Sequence, residues 1–406
     1  MIKKTLFFSA LLLFCTTPHL SPCTTAVISA KASSSGRSMI WKLRDTDTFE
    51  NSMRYFNDGK YSYLGLVNSN DPEGLNVWGG SNSAGFAIMN SASYNVNLND
   101  TTSLSDREGV VMKQALRGCA TLAEFEQFLD NLPKPMGLAS HFGVIDARGG
   151  AAFYEVDNYS WTKFDANEAP EGYVIRTNYS QSGKPDAGYG FIRRETAEKL
   201  FTENAPKGNL NSRTILQHFS RCFYHPVFSI DFREKYEKGN YDTDFISTDD
   251  FITRHGSASA IVVEGVKENE SPDMNTVWVQ VGFPETTVSL PLWIRGGENI
   301  PELLRYDETL QNCPLNRYAL QWKKTAYPFG RADGYHYLKM TELINPRGTG
   351  FVQRIERLEK EIFSLTETQT TEWLRQTPQP EQIAAFYELL NKKVSAFYES
   401  FQKPEE

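Results

Sequence analysis

The amino-acid sequence predicts an α+β protein in which sheets pack on one another and helices lie outside. Strand-like and helix-like segments come in blocks, in the order strands, helices, strands, helices, rather than as alternating βαβ units. No internal repeat and no long low-complexity linker interrupts the 406 residues. Apolar residues make up 40% of the chain and aromatic residues 13%, which is ample for a packed core.

Strands are predicted wherever short runs of β-branched and aromatic residues are bounded by turn formers. These runs cover 24–29, 39–43, 85–90, 141–146, 151–156, 173–177, 258–264, 276–281 and 287–290. Gly79 and Gly80 are expected to form a turn before the third run. The sequence at 147–150 is typical of a hairpin turn between the strands on either side.

Helices are predicted from apolar spacing and from capping residues. They are expected over 108–117, 122–132, much of 190–255, 350–364 and 380–401. Thr121 and Glu124 form a capping box for the second helix, and Pro133 ends it.

The first 22 residues have the features of a secretory leader. Lys3 and Lys4 precede an apolar stretch, residues 6–14, that is too short to span a bilayer. We therefore expect an exported protein, periplasmic or secreted. The expected organisation is a leader over 1–22, a catalytic domain over 23–300 and a mainly helical extension over 301–406.

Composition argues against several classes of partner. The formal net charge is −8 and there is no basic run, so nucleic acid is not an expected partner. Beyond the leader and Cys23, the sparse Cys119, Cys222 and Cys313 do not form a disulfide framework. Neither Cys-x-x-Cys nor His-x-x-x-His spacing occurs, so no metal and no cofactor is expected. The six histidines are scattered and are interpreted as structural.

Cys23 is the most informative residue of the sequence. If the leader is removed after Pro22, the mature chain begins with a cysteine that carries both a thiol and a free α-amine. An α-amine has a pKa of about 7.7–8.0, so a useful neutral fraction exists near pH 7. That amine can take the thiol proton and activate the sulfur for acyl transfer.

The route by which Cys23 becomes N-terminal is left open by the sequence. Residues 16–22 contain no small-x-small cleavage site, and Pro22 is awkward for ordinary signal peptidase. Residues 20–23 resemble a lipoprotein box with proline where a small residue is usual. Lipidation would consume the sulfur and block the amine, so Cys23 is either an anchor or a catalyst. Self-cleavage, or trimming by another protease, is the third route. We favour the catalyst; the alternative function is a lipid-anchored surface binding or structural protein, which would touch the membrane only through that anchor.

Four segments in order resemble the N-terminal nucleophile hydrolases of the choloylglycine hydrolase and penicillin V acylase superfamily. They cover 23–25, 36–47, 82–91 and 173–180, and a later run over 276–293 strengthens the similarity to the branch of isopenicillin N acyltransferase-like, linear amide hydrolases. The resemblance spans roughly residues 23–300. It implies a four-layer αββα sandwich.

The resemblance also implies roles for particular residues. Asp45, which lies 22 positions after Cys23, would hold the α-amine and stabilise its protonated form; taken alone it could be a turn or cap residue. Lys42 stands where the bile-salt enzymes carry arginine. It supplies positive charge but lacks the planar guanidinium that donates two parallel hydrogen bonds. Arg44 is adjacent but is expected to point to the opposite face of the strand.

The same resemblance places Asn90 and Asn178 at two strand ends as donors to a developing oxyanion. As an isolated residue, each would more often be a turn former. Arg254 is the nearest candidate for a further arginine of the family, although residues 253–257 do not align cleanly with the family pattern. His255, the neighbouring residue, is the only histidine close to these segments.

The function expected from this set is hydrolysis of linear carbon–nitrogen amide bonds through a thioester on Cys23, with acyl transfer where water is excluded. Conjugated bile salts and N-acyl amino acids are the first candidate substrates, followed by penicillin V. Five aromatic residues close to the site segments are candidates for an apolar substrate pocket or for core packing, namely Trp41, Phe86, Tyr94, Tyr173 and Tyr179. The sequence leaves a homo-oligomer open.

Overall fold

The computed structural model describes residues 22–71, 73–102 and 106–401. Within these ranges the strands are β1 Thr24–Ile28, β2 Met39–Asp45, β3 Asn51–Phe56, β4 Tyr63–Asn68, β5 Gly79–Asn82, β6 Ala87–Ala92, β7 Ser140–Ile145, β8 Ala151–Val156, β9 Trp161–Asp165, β10 Tyr173–Arg176, β11 Tyr224–His225, β12 Ile230–Asp231, β13 Phe245–Ser247, β14 Ser257–Glu264, β15 Thr276–Val281, β16 Leu290–Trp293 and β17 Tyr337–Lys339.

The α-helices of the same ranges are α1 Glu108–Gly118, α2 Leu122–Asn131, α3 Phe191–Asn204, α4 Ser212–Thr214, α5 Phe232–Glu237, α6 Pro314–Ala326, α7 Met340–Leu343, α8 Phe351–Arg375 and α9 Pro380–Glu399. A π-helical turn, Ile215–Phe219, continues α4. None of the helices in the described ranges combines the length and the apolar character needed to cross a bilayer.

Two large antiparallel sheets face each other in the middle of the fold. One has six strands in the order β10-β1-β2-β14-β15-β16, and the other has seven in the order β3-β4-β5-β6-β7-β8-β9. Strands β1 and β2 contact β6 and β7 across the interface. A Cβ at Gly143 would lie 2.2 Å from Met89 Cε and 2.9 Å from Val27 Cγ2, so glycine allows the sheets to approach here.

Helices cover the outer face of each sheet. On the seven-stranded sheet, Val111 of α1 and Phe125 of α2 pack with Phe142 of β7 in one buried cluster. On the six-stranded sheet, the ring of Trp41 lies 6.2 Å from that of Phe201 in α3. The fold is therefore a four-layer αββα sandwich, and this prediction is confirmed.

A buried ion pair between Arg221 and Glu359 connects helix α8 to the side of the fold that carries the six-stranded sheet. Arg221 donates to both carboxylate oxygens of Glu359 in α8, each at 2.8 Å, and neither side chain is exposed. Ser289 adds its backbone amide and its hydroxyl to the same carboxylate, both at 2.7 Å. Both oxygens of the Glu359 carboxylate thus have partners supplied by the sheet side of the fold.

Replacing Glu359 by glutamine should destabilise the protein strongly, because the charge of Arg221 would stay buried without its counter-ion. Breaking a buried pair in this way costs roughly 3–5 kcal/mol. Glu361→Gln on the same helix is the matched control, since its pair with Lys393 is surface-exposed and such pairs are worth about 0–1 kcal/mol. Denaturant unfolding measures both. Equal losses in the two variants would contradict the prediction.

Some predicted boundaries are wrong, and each has a physical reason. Gly79 and Gly80 do not form a turn; they lie in β5, where a Cβ on Gly80 would sit 2.1 Å from the carbonyl oxygen of Leu64. The strand predicted over 287–290 is β16, Leu290–Trp293, because the backbone before it bonds side chains instead: the carbonyl of Thr287 accepts from Arg221.

Other elements extend beyond their predicted limits or are absent from the prediction. Helix α8 runs to Arg375 rather than 364, since its last turns pack Trp373 against Trp293 at 5.0 Å between ring centroids. The sequence does not predict the strands β3, β4, β5, β9, β11, β12, β13 and β17. The capping box is confirmed in its first half, with Thr121 Oγ1 accepting from the amide of Glu124 at 3.2 Å, whereas the glutamate accepts from Ala120.

Candidate active site

The candidate site lies at one end of the six-stranded sheet, where β1 begins, β2 ends and β14 begins. Antiparallel pairing fixes this arrangement, because Thr24 lies opposite Leu43 and Ser257 lies opposite Asp45. Residues far apart in sequence are thereby brought to adjacent strand ends. The site is therefore a property of the strand order β1-β2-β14.

Cys23 sits at this end and is 5% exposed. Burial raises the pKa of its thiol, the positive charge of Lys42 lowers it, the negative charge of Asp45 raises it, and a hydrogen bond from the backbone amide of Asp45 lowers it. The net direction is upward, so the sulfur is a protonated thiol near neutral pH. A nucleophilic Cys23 therefore needs a base within reach. The charges of Lys42 and Arg44 favour its thiolate.

The carboxylate of Asp45 is held from two sides by residues at the start of β14. Arg254 donates to Oδ2 through Nε at 2.8 Å and through Nη2 at 2.6 Å, and Ser257 Oγ donates to Oδ1 at 2.7 Å. Arg254 Nη2 also donates to the carbonyl oxygen of Pro22 at 3.0 Å. One guanidinium thus joins Asp45 to the peptide bond that precedes Cys23.

Lys42 and Asn90 meet between the two sheets. Lys42 Nζ donates to the Trp78 carbonyl oxygen at 2.9 Å and to Asn90 Oδ1 at 2.5 Å, while Asn90 Nδ2 donates to the Glu108 carboxyl. Burial lowers the pKa of Lys42 to about 8. Burial, followed by the charge of Asp106, raises the pKa of Glu108 to about 8. The amide of Asn90 is therefore oriented by a cation on one side and a carboxyl on the other.

Arg44 does not point away from this group, and the expectation that it would is wrong. Its guanidinium lies 4.6 Å from the Trp78 ring centroid, and Lys42 Nζ lies 5.8 Å from the same ring. Residues two apart on a strand share a face, so Arg44 and Lys42 stand side by side. Arg44 also donates to Asn51 Oδ1 at 2.5 Å. Its charge lowers the pKa of Cys23 in the same direction as that of Lys42.

Asn178 is fully buried at the end of the segment after β10. Its Nδ2 donates to the carbonyl of Ala92 at 2.7 Å, and its Oδ1 accepts from Arg193 Nη2 at 2.8 Å. Arg193 Nη1 in turn donates to the carbonyl of Cys23 at 2.5 Å and to Thr24 Oγ1 at 3.0 Å. A single buried arginine therefore connects Asn178 to the backbone of Cys23.

Sequence reasoning missed Arg193, although a signal was present. Arg193, Ala197 and Phe201 are spaced four residues apart and all lie on the buried face of α3. An arginine in line with apolar residues on a helix needs buried partners. Burial lowers the pKa of Arg193 to about 9, with the charge of Arg254 acting in the same direction.

The aromatic residues proposed for a substrate pocket divide into two groups. Trp41, Phe86 and Tyr173 pack inside the fold, the first and third against Phe201 and the second against Phe125. Tyr94 and Tyr179 lie near Asn178 and contact exposed aromatic residues, with 5.6 Å between the rings of Tyr94 and Tyr189 and 5.1 Å between those of Tyr179 and Phe191. The first group therefore belongs to the core packing, whereas the second group reaches exposed aromatic side chains.

Cys23 is buried and Pro22 is partly exposed. A cleft of about 960 Å³ is found elsewhere, at the opposite end of the six-stranded sheet, where Glu264, Thr276 and Trp278 face α8. Among the described residues, no group of three or more His, Cys, Asp or Glu side chains is arranged to hold a metal ion. The chemistry available at the site is that of a thiol, a carboxylate held by two donors, buried cations and amide donors.

The buried carboxyl of Glu108 gives the site a measurable pH signature. Because its pKa is raised from 4.5 to about 8, the folded chain keeps a proton that the unfolded chain releases. The resulting stability is complete below about pH 4.5 and is lost as pH rises through about 8. Glu108→Gln should therefore gain stability relative to the unsubstituted protein across this window. Denaturant unfolding at several pH values measures this gain, with the exposed Glu203→Gln as the control. If the free energy of unfolding of Glu108→Gln changes with pH in parallel with that of the unsubstituted protein, the assignment is contradicted.

Comparisons with known proteins give only distant matches. No family model and no curated protein matches the chain. An N-acylethanolamine-hydrolysing acid amidase orthologue from Caenorhabditis elegans is similar over 62% of this chain and 93% of its own, with 14% identity and a TM-score of 0.40. A mutant of the conjugated bile acid hydrolase from Clostridium perfringens matches over 67% and 92%, with 12% identity and a TM-score of 0.37. Penicillin V acylase from Agrobacterium tumefaciens matches over 67% and 86%, with 14% identity and a TM-score of 0.34. Similarity this low leaves the chemistry to be argued from the site.

Proposed function

We propose that this chain is the precursor of an N-terminal cysteine hydrolase that cleaves linear amide bonds of small N-acyl compounds. The observation that carries the proposal is the double contact of Arg254, which binds the Asp45 carboxylate and the Pro22 carbonyl oxygen through one nitrogen. The peptide bond that must be broken to expose the α-amine of Cys23 is thus held beside a carboxylate. In its motifs the chain is nearest to the isopenicillin N acyltransferase-like branch.

Removal of Pro22 would leave the new α-amine close to Asp45, since the Cys23 nitrogen is bonded to the carbonyl carbon that Arg254 fixes. The neutral amine takes the proton of the thiol, and Asp45 stabilises the ammonium that forms. Lys42 and Arg44 stabilise the thiolate, because both charges lower the pKa of Cys23. The raised pKa of the buried thiol makes this internal base necessary.

The sulfur then attacks the amide carbonyl of the substrate and forms a tetrahedral oxyanion. Asn178 and Asn90 are the proposed donors to that oxyanion. Collapse of the intermediate breaks the carbon–nitrogen bond, and the leaving amine takes the proton from the α-ammonium. Water, deprotonated by the same α-amine, hydrolyses the thioester and regenerates Cys23. A second amine in place of water would give acyl transfer.

Burial favours the catalyst over the lipid anchor for Cys23. A diacylglyceryl thioether needs an exposed sulfur, whereas this residue is 5% exposed and its carbonyl is bound by buried Arg193. We propose the exported, periplasmic or secreted location on the evidence of the leader alone. The expected substrates have an apolar acyl part, since Tyr94 and Tyr179 lie close to Asn178: the amide of Tyr94 donates to the Asn178 carbonyl oxygen at 3.4 Å, and Tyr179 is the next residue along the chain.

Mass spectrometry of the mature N-terminus, combined with an amide screen, tests the proposal. We expect a chain that begins at Cys23 and releases amine from glycine- or taurine-conjugated bile salts, N-acyl amino acids or phenoxyacetyl amides. A diacylglyceryl mass on Cys23 would establish the anchor instead. Efficient cleavage of casein with none of these amides touched would overturn the substrate class.

A further inference from the structure

One charged side chain of the C-terminal extension, that of Lys323, contacts the backbone next to the site. Lys323 of α6 is buried, and its Nζ donates to the carbonyl oxygens of His255 at 2.5 Å and Ser257 at 3.3 Å. The ammonium also lies 3.6 Å from the ring centroid of Phe49 and 5.4 Å from that of Phe283. Two carbonyls and two aromatic faces therefore enclose it.

The carbonyls that Lys323 binds belong to the 254–257 turn, whose first and last residues donate to Asp45. Arg254 and Ser257 hold the carboxylate from opposite ends of this turn. Within the turn, the carbonyl of Gly256 accepts from the amide of Thr46 at 2.9 Å, which ties the turn to the end of β2. Any shift of the turn would thus move both donors to Asp45 together.

Burying the Lys323 ammonium here removes it from water, which costs free energy of solvation. Burial lowers the pKa of Lys323 to about 7, although the charges of Asp45, Glu285 and Glu50 raise it. Glu285 is itself buried, and burial raises its pKa to about 8. The neighbouring His255 has its pKa lowered to about 4 by burial and by Lys323. An apolar residue of similar size would avoid this desolvation, so the ammonium has to be explained by what it binds.

We infer that Lys323 is a positioning residue of the catalytic centre: it fixes the 254–257 turn and, through Arg254 and Ser257, the orientation of Asp45 beside Cys23. The inference rests on the proposed function. It makes the C-terminal extension part of the active site, because the donor to the His255 and Ser257 carbonyls comes from α6. Misplacement of a reacting group by about 1 Å can cost 10²-fold in rate.

The test compares Lys323→Met with Lys324→Met, the exposed neighbour on the same helix. Lys323→Met should lower kcat for amide release by roughly tenfold to a hundredfold with little change in KM, while Lys324→Met keeps both. Lys323→Gln, whose amide can still donate to a carbonyl, should recover part of the loss. The rate at which iodoacetamide alkylates Cys23, followed by peptide mass spectrometry, should fall in the same order.

Equal kcat, KM and alkylation rates in Lys323→Met and Lys324→Met would overturn the inference. If Lys323→Met does not fold, the Gln variant decides, and full activity there would also overturn it. A rise in KM alone, with kcat intact, would assign Lys323 to substrate contact instead and refute positioning. None of these outcomes touches the proposed function, which fails separately if Cys23→Ala remains active.

Discussion

Replacing Cys23 by alanine should abolish amide hydrolysis and leave the protein folded. In a serine protease, removal of the nucleophile alone lowers kcat by about 10⁶-fold, and a loss on that order is expected here. The loss of stability should be small, because the side chain contributes only a thiol just before β1, and the hydrogen bond from Arg193 to the Cys23 carbonyl oxygen remains. Amine release is the assay, and near- and far-ultraviolet circular dichroism reports the fold.

Cys119→Ala is the matched control, since Cys119 is another buried cysteine, and burial raises the pKa of its thiol to about 12. It should keep full activity. A chain that retains one additional residue ahead of Cys23 should be nearly as inactive as Cys23→Ala, because the base is then an amide nitrogen. Wild-type turnover by purified Cys23→Ala would refute the mechanism.

The strands that frame the site could be predicted from sequence because their residue types determine them locally. Thr24–Ile28 and Met39–Asp45 are β-branched and apolar runs with polar residues at the ends that meet the site. Cys23 therefore falls just before one predicted strand, whereas the other is predicted only over 39–43 and runs on to Asp45 in the structure. A short connection makes the two strands antiparallel neighbours. The third strand, Ser257–Glu264, is also predicted, but nothing local says that it pairs with β2.

The charges around the site could not be predicted, because tertiary contacts decide which of them are buried. Arg254 reaches Asp45 only after β14 has paired with β2, through an irregular register between Ser257 and Ser259. Glu108 begins a helix whose sequence is equally suited to an exposed first turn. Lys323 comes from a segment 278 residues beyond Asp45, and its amphipathic helix gives no indication of the two carbonyls it meets.

Asn178→Ala should lower kcat by roughly a hundredfold to a thousandfold with a smaller change in KM, which is the typical cost of losing one oxyanion donor. Asn90→Ala is a weaker probe, because a backbone donor at position 90 would survive the substitution. The exposed Asn209→Ala, at the other end of the sheet, is the control. Steady-state kinetics on these variants give the answer, and kcat within a factor of about two for both site variants would contradict the oxyanion assignment.

Asn178→Asp separates two roles that alanine removes together. In the structure Asn178 Oδ1 also accepts from Arg193, which in turn binds the Cys23 carbonyl. Aspartate keeps an oxygen for Arg193 but has no N–H to donate. If the amide donates to the oxyanion, Asn178→Asp should be at least as impaired as Asn178→Ala, because it adds negative charge where negative charge develops. Recovery of activity in Asn178→Asp would show that the side chain serves to anchor Arg193, and the oxyanion role would have to be reassigned.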